Sequence, residues 1–511
     1  MTTMAGPATD GGDDLTEEAA IVRFLGSPAA HGGETPQHVE THLSHLFLAG
    51  DRVLKLKKRI AWAVVDYSSL DKREGFCRRE LEVNRRFAPD LYVGVVPVTR
   101  GPDGLALGGE GDVVEWLVEM RRFAADEQLD VMADRGTLTP EIIDATADGI
   151  AAMHRTAPVV HVAGADPVAA RSDQLHRDVA AGLKPGPVLD DVEAWYAAAR
   201  SVAAEHRGLL DRRGRHGFTR RCHGDLHLSN ICLWDGRPTP FDAIEFSEDI
   251  ATIDVLYDLA FVLVDLDSRQ REALSWRLLS RYLEATRDYC GLAVMPLFLS
   301  QRAMVRALTR LAKGQDAAPS AAMARHYLER PAAARLIAVG GLSGSGKSTV
   351  ARALAPVAGA VVVRSDTVRK RLAGVAPEER LGAGSYTAEA NRAVYRRMMV
   401  EAGRALRAGA TVILDATFAD AAMRGLARGL AEERGVPFAG LWLSAPARTL
   451  HRRVEARTGD ASDADVAVVD AQLSRPLGPL DWDEVDADGG IEDVVARAGA
   501  ALGLPAPCQQ S

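Results

Sequence analysis

Cysteine is scarce in this chain. Five occur in 511 residues, Cys77, Cys222, Cys232, Cys290 and Cys508, an odd set with no C-x-x-C spacing. That excludes a disulfide framework and a thiolate zinc site, and it fits a reducing cytoplasm. No run of about twenty uncharged apolar residues occurs, and the first residues lack a basic stretch followed by an apolar one, so neither a membrane span nor a secretory leader is expected. Basic charge is in the minority: 61 Lys and Arg against 70 Asp and Glu leave a net charge of -9 and a pI near 5.9. This argues against nucleic acid, whose binders carry a broad basic face. Lysine is rare within the basic set, eight against 53 arginines, so a lysine standing where a motif requires one carries information. What the chain does have is 47% hydrophobic residues and the length for two or three domains.

Residues 1–14 are small, acidic and Gly-rich and are expected to form a disordered tail. HLSHLFLAGDRVLKLKK, from residue 42, reads as two β-rich runs around Ala49-Gly50-Asp51. A charged helical stretch covers 70–87, and 95–100 and 113–120 return to strand-like runs, together a small mixed lobe. Residues 140–156, 168–182, 188–212, 252–289 and 297–313 have helical periodicity, broken by a loop segment at 222–247. Residues 313–334, rich in Ala with two prolines, read as a linker. Beyond it LIAVGG, VVVRSD, TVILDAT and FAGLWLSA alternate with helix-like segments, the pattern of a parallel sheet covered on both faces.

Two motifs carry chemistry. Gly341-Leu-Ser343-Gly344-Ser345-Gly346-Lys347-Ser348 satisfies G-x-x-x-x-G-K-[ST] between a strand and a helix that opens with Thr349. Backbone N–H groups of such a loop cradle phosphates, Lys347 reaches the β and γ oxygens, and the Ser348 hydroxyl ligates Mg²⁺. Asp366, after the second strand, stands where a carboxylate could orient or deprotonate an acceptor hydroxyl, or cap the helix that follows. Asp415, ending the third strand, is a candidate for holding Mg²⁺ through water. Arg453 and Arg457, and beside them Arg448 and Arg452, form i, i+4 pairs that suit a polyphosphate clamp or a solvated helix face. These segments, GLSGSGKST, RSDTVRKRLAG, VILDATF and the arginines, resemble the P-loop kinases that include gluconate kinases, zeta toxins and polynucleotide kinases, often filed with AAA-type ATPases. The resemblance implies phosphoryl transfer with Asp366 as base and Arg453 and Arg457 as lid residues.

The second motif is His223-Gly-Asp225-Leu-His227-Leu-Ser-Asn230, an H-G-D-x-x-x-x-N arrangement in which Asp accepts the hydroxyl proton and Asn holds Mg²⁺. Asp242, about a dozen residues on, is a candidate metal carboxylate. Roughly residues 30–312 resemble the aminoglycoside phosphotransferase and choline kinase-like branch of the protein-kinase-like fold. That resemblance implies a strand lysine fixed by a helix glutamate, matched by Lys55 and Glu80, with Lys57 competing for the lysine role and Glu115–Arg121 as the hinge. No G-x-G-x-x-G precedes Lys55. His42 and His45 stand in that hairpin, facing the cleft or merely decorating it.

The expected fold is therefore an α+β bilobal protein-kinase-like domain (15–312), a linker (313–334), and an α/β three-layer P-loop NTPase domain with a parallel sheet (335–505). The expected chemistry is ATP- and Mg²⁺-dependent transfer to a small hydroxyl-bearing substrate, with no membrane and no obligate protein partner. A rival reading makes the first domain a non-catalytic ligand sensor regulating a P-loop ATPase; a third makes the second domain an ATPase switch or motor.

Overall fold

A computed structural model describes residues 12–62, 65–329, 333–375, 379–381, 383–456 and 462–504. The chain forms two compact units: residues 1–269 with 298–326, and residues 270–297 with 327–511.

The first unit opens with a helix, Gly12–Leu25, so only residues 1–11 of the expected tail lie outside the described residues. Six antiparallel strands follow: β1 (Gln37–Glu40), β2 (Ser44–Ala49), β3 (Arg52–Lys57), β4 (Tyr92–Gly101), β5 (Gly104–Leu107) and β6 (Asp112–Arg121), in the order β1-β2-β3-β6-β4-β5. Register sets the two faces. Phe47 lies opposite Leu54 and Leu56 opposite Leu117, and this face buries Phe47, Leu54, Leu56, Val98 and Leu117 against Ile21 and Leu25 of the first helix. Leu46 lies opposite Lys55 and Lys55 opposite Val118, so the lysine stands on the other face, the strand period being two. The helix Leu70–Asn84, capped by the Ser69 side chain, carries Glu80 onto that face.

The helical part of this unit contains Pro140–Thr156, Ala165–Ala181, Pro187–Glu205, Arg207–Arg215 and Val255–Ser268. The last is buried from Val255 to Leu266, a fully enclosed central helix. Two expected helices are broken: 188–212 ends its first piece at Glu205, and 252–289 resolves into the strand Thr252–Asp254, the helix Val255–Ser268 and a separate helix Glu272–Thr286. Part of the expected linker is the helix Ala318–His326 of the first unit. Glu115–Arg121 is not a hinge; it lies inside β6, paired with β3 and β4.

The second unit is built on five parallel strands, β7 (Leu336–Gly341), β8 (Ala360–Arg364), β9 (Thr411–Asp415), β10 (Phe438–Ser444) and β11 (Asp483–Asp486), ordered β8-β9-β7-β10-β11. Every residue of β7, β8 and β9 is buried, as a sheet covered on both faces requires. The helices Lys347–Ala358 and Ile491–Ala501 supply Val350, Leu354, Val494 and Ala498 to the core on one face. The helix Glu272–Thr286 also belongs here: it packs on Lys347–Ala358 and on β8, and Ser280 Oγ accepts the Val362 N–H at 3.4 Å.

Candidate active sites

In the first unit the H-G-D turn is fixed from below. Asp258, fully buried on the helix Val255–Ser268, accepts the N–H groups of His223 (3.1 Å) and Gly224 (3.0 Å) and the His154 ring at 3.1 Å. Gly224 has φ +87, a conformation costly for any residue with a Cβ. Asp225 then projects with 40% of its side chain exposed. Burial pushes its carboxyl up, but the His227 ring 3.3 Å away, with His223 and Arg302 nearby, outweighs this and holds it at about 2. Asn230 Nδ2 lies 3.2 Å from the same carboxylate and 2.9 Å from the Asp225 carbonyl. Asp242, at φ 61, is held by its N–H to the Tyr92 hydroxyl (3.0 Å) and by Lys55 Nζ at 2.5 Å.

Lys55 Nζ also lies 2.8 Å from Glu80 Oε1, so the strand lysine, the helix glutamate and Asp242 meet in one cleft. Lys57 does not compete for this place. Its ammonium, 2% exposed, binds Glu80 Oε2 at 2.6 Å and Glu245 Oε1 at 2.5 Å, beside the Tyr67 hydroxyl. Burial opposes the charge on both lysines, but their carboxylates prevail and raise both pKa values well above the ordinary lysine value. His45 does not face this cleft: it lies opposite Leu56, on the sheet face covered by the first helix, with Glu18 3.9 Å away. His42 sits exposed between β1 and β2.

In the second unit the loop from Gly341 to Ser348 leads from β7 into the helix Lys347–Ala358. Gly344, at φ +85, leaves no room for a Cβ, which would stand 2.5 Å from the Leu450 carbonyl. Loop residues Gly344 to Thr349, Arg453, Ala487 and Ile491 line a cavity of about 450 Å³, and Arg453 is tethered to the Gly489 carbonyl at 3.2 Å. Arg448 and Arg452 are exposed, whereas Arg453 lines the cavity; Arg457 lies outside the described residues. Asp415 pairs with Val339 on one side and Arg364 on the other, which sets it beside the strand that launches the loop. It is 1% exposed, neither of its carboxylate oxygens has a hydrogen-bond partner among the described residues, and its nearest cation is Arg364 Nε at 3.3 Å. Asp366 occupies the first turn of the helix Ser365–Ala373 rather than its N-cap, which is Arg364, and its carboxylate lies 3.8 Å from Arg364.

Residues 45–292 match the Phosphotransferase enzyme family, and residues 336–477 match the AAA domain family. Uncharacterized proteins of Mycobacterium tuberculosis and Mycobacterium bovis are each 31% identical to the chain over 486 residues, 90% of this chain and 94% of theirs. The chain belongs to their family. It joins a phosphotransferase domain of protein-kinase-like α+β fold to a three-layer P-loop domain, both of types that transfer phosphoryl groups from ATP. Among solved structures, a choline/ethanolamine kinase family protein from Mesorhizobium loti is 17% identical, covering 62% of this chain and 96% of its own, with TM-score 0.39. A sugar kinase from Janibacter sp. HTCC2649 is 24% identical, covering 34% and 95%, with TM-score 0.27.

Several site residues of the phosphotransferase and P-loop domains escaped the motifs. Glu245, Tyr67 and His154 act through contacts distant in sequence. Lys370 carried a usable signal, since it is one of eight lysines. It is buried at 1%, bonded to Asp463 at 2.7 Å and to the Glu379 carbonyl, and Asp463 also accepts the Leu381 N–H (3.0 Å) and the Tyr386 hydroxyl (2.6 Å). This cluster gathers the chain beyond Asp366 onto its helix.

Proposed function

We propose that both domains are active, each moving the γ-phosphoryl group of ATP onto a hydroxyl of a small molecule with the help of Mg²⁺. The observation that carries the reading is the junction of Lys55 with Glu80 and Asp242 in the cleft that also holds Asp225 and Asn230. A non-catalytic sensor has no need of that constellation.

The donor sets suit a hard divalent ion, being oxygen throughout. Asn230 and Asp242 would hold it in the first domain, Ser348 and Asp415 in the second, where two buried carboxylate oxygens without hydrogen-bond donors are otherwise costly. At either place Mg²⁺ would supply positive charge to offset that of the phosphates. The chain's own residues do the rest. Lys55 and Lys347 supply fixed positive charge to phosphate oxygens, the P-loop N–H groups orient them, and Arg453 closes one wall. Asp225, with a carboxyl held at about 2, is a weak base; it orients the acceptor hydroxyl and takes the proton only as the new O–P bond forms. Asp366 has the same role in the second domain. A cytoplasmic location suits ATP use, and the described cysteines are all free.

The test is mass detection of phosphorylated product from wild type, Asp225→Asn and Lys347→Ala with sugars, sugar acids, nucleosides and aminoglycosides. Product lost in one variant assigns that acceptor to that domain. ATP consumption without product, abolished by Lys347→Ala alone, would replace the proposal with a sensor attached to an ATPase.

A further inference from the structure

We propose that the acceptor of the first domain carries an anionic group, a carboxylate or a phosphate, and that Arg171 binds it. The inference rests on the reading of Asp225 as the residue that orients the acceptor.

Arg171 lies on the helix Ala165–Ala181. Among the described residues it has no carboxylate or carbonyl partner; its guanidinium stacks on the Tyr257 ring, 4.1 Å from the centroid. The same ring is contacted at 3.9 Å by Arg302, which donates to the Gly224 carbonyl at 3.1 Å and the Tyr257 carbonyl at 3.0 Å. Arg171 is therefore one aromatic ring away from an arginine that supports the turn bearing Asp225. It is only partly exposed, and burial, with Arg302 adding repulsion, lowers its pKa below the ordinary arginine value despite Tyr257 and Asp254. A guanidinium that is deep, in reach of water and without a hydrogen-bonded carboxylate, the nearby Asp254 being held by Arg213, suits an anion, because a ligand carboxylate or phosphate offsets its burial with bidentate bonds.

The acids nearby point the same way. Asp265, which accepts the Leu228 N–H, is bonded to Arg306 (2.5 Å) and Arg269 (3.4 Å), and Arg269 also holds Asp134 and Asp130. An amino-sugar acceptor needs carboxylates free for its ammonium groups, and these three are already paired. The proposed reading gives ATP to Lys55 and Asp242, and Arg171 is assigned to the acceptor on its link through Tyr257 and Arg302 to the Gly224 carbonyl.

The experiment uses the full chain carrying Lys347→Ala, which removes the P-loop's own phosphate site. Gluconate, glucose 6-phosphate, glucose and kanamycin are compared as acceptors, with and without Arg171→Met, and binding of gluconate and glucose 6-phosphate is measured by calorimetry in an Asp225→Asn background. The expected result is binding of one of the two anions, weakened tenfold or more by Arg171→Met, about the loss of one charge-assisted pair, with KM for ATP unchanged. Which anion binds identifies carboxylate or phosphate. Arg171→Lys, which keeps charge but not the fork, should recover part of the affinity. Asp225-dependent phosphorylation of glucose or kanamycin that Arg171→Met leaves untouched would overturn the proposal while upholding the catalytic reading. Arg171-dependent anion binding without Asp225-dependent transfer would do the reverse.

Discussion

Lys55 and Lys57 show how far residue identity alone can carry a site. Both stand on one strand face two positions apart, and both reach Glu80; what separates them is Asp242 for one and Glu245 for the other, partners nearly 190 residues away that no local pattern can reveal. Their substitution should therefore fail differently. Lys55→Met is expected to lower kcat of Asp225-dependent transfer by about a hundredfold or more, through loss of charge at the phosphates, with a small change in stability. Lys57→Met leaves the buried Glu245 with the Tyr67 hydroxyl but no cation, while Glu80 keeps Lys55, and should cost about 3 kcal/mol in denaturant unfolding of the first unit. Equal stability of the two variants would refute this division. Glu80 adds a pH dependence. Burial pushes its carboxyl up, but the two lysines hold it below the ordinary glutamate value, so its contribution to stability is present above about pH 4 and lost as pH falls below that. The acid limb of the first unit's unfolding should soften in Glu80→Gln, measured as the midpoint between pH 5 and 3.

Whole elements were legible where pattern and chemistry agree. The strand, loop and helix around Lys347 follow from apolar run, glycines and helical spacing, and β2 and β3 from alternation about a Gly-Asp turn. β11 was not legible: Asp483-Glu-Val-Asp486 is a polar sheet-edge strand with one buried side chain, which reads as loop. Nor was the allegiance of Glu272–Thr286. Its Leu278 and Leu283 are fully buried and its Tyr282 nearly so, but burial has no address in a sequence. The matched span 45–292 assigns this helix to the phosphotransferase family, whereas its contacts lie on β8 and the helix Lys347–Ala358. Leu283→Ala should accordingly lower the stability of the P-loop unit by about 3 kcal/mol and leave that of the first unit unchanged. Unit-resolved hydrogen exchange would read the difference, and protection lost in the first unit would contradict the assignment.

At the scale of the whole molecule, two nucleotide chemistries on one chain predict separable binding. Lys347→Ala should abolish nucleotide binding at the P-loop and leave a second ATP equivalent bound by the first unit, so calorimetric stoichiometry should fall from about two to about one. A fall to zero would mean that the first cleft binds no nucleotide. The motifs made this bipartite plan readable, because each sits within a short contiguous segment; the acceptors were not readable, because the groups around an acceptor come from helices scattered along the chain.

The exchange of residues 270–297 also has a consequence for how the protein is made. A ribosome delivers the helix Glu272–Thr286 before any strand of the sheet it will cover exists, and it delivers residues 298–326 of the first unit only afterwards. Neither unit can finish folding in strict order of synthesis: a helix with a buried apolar face must wait for about eighty residues until Lys347–Ala358 and β8 have emerged, several seconds at ordinary translation rates. Separate genes cut near residue 312 or 335 would leave that helix with the wrong product, so the two units are bound to a single reading frame by the route of the backbone itself.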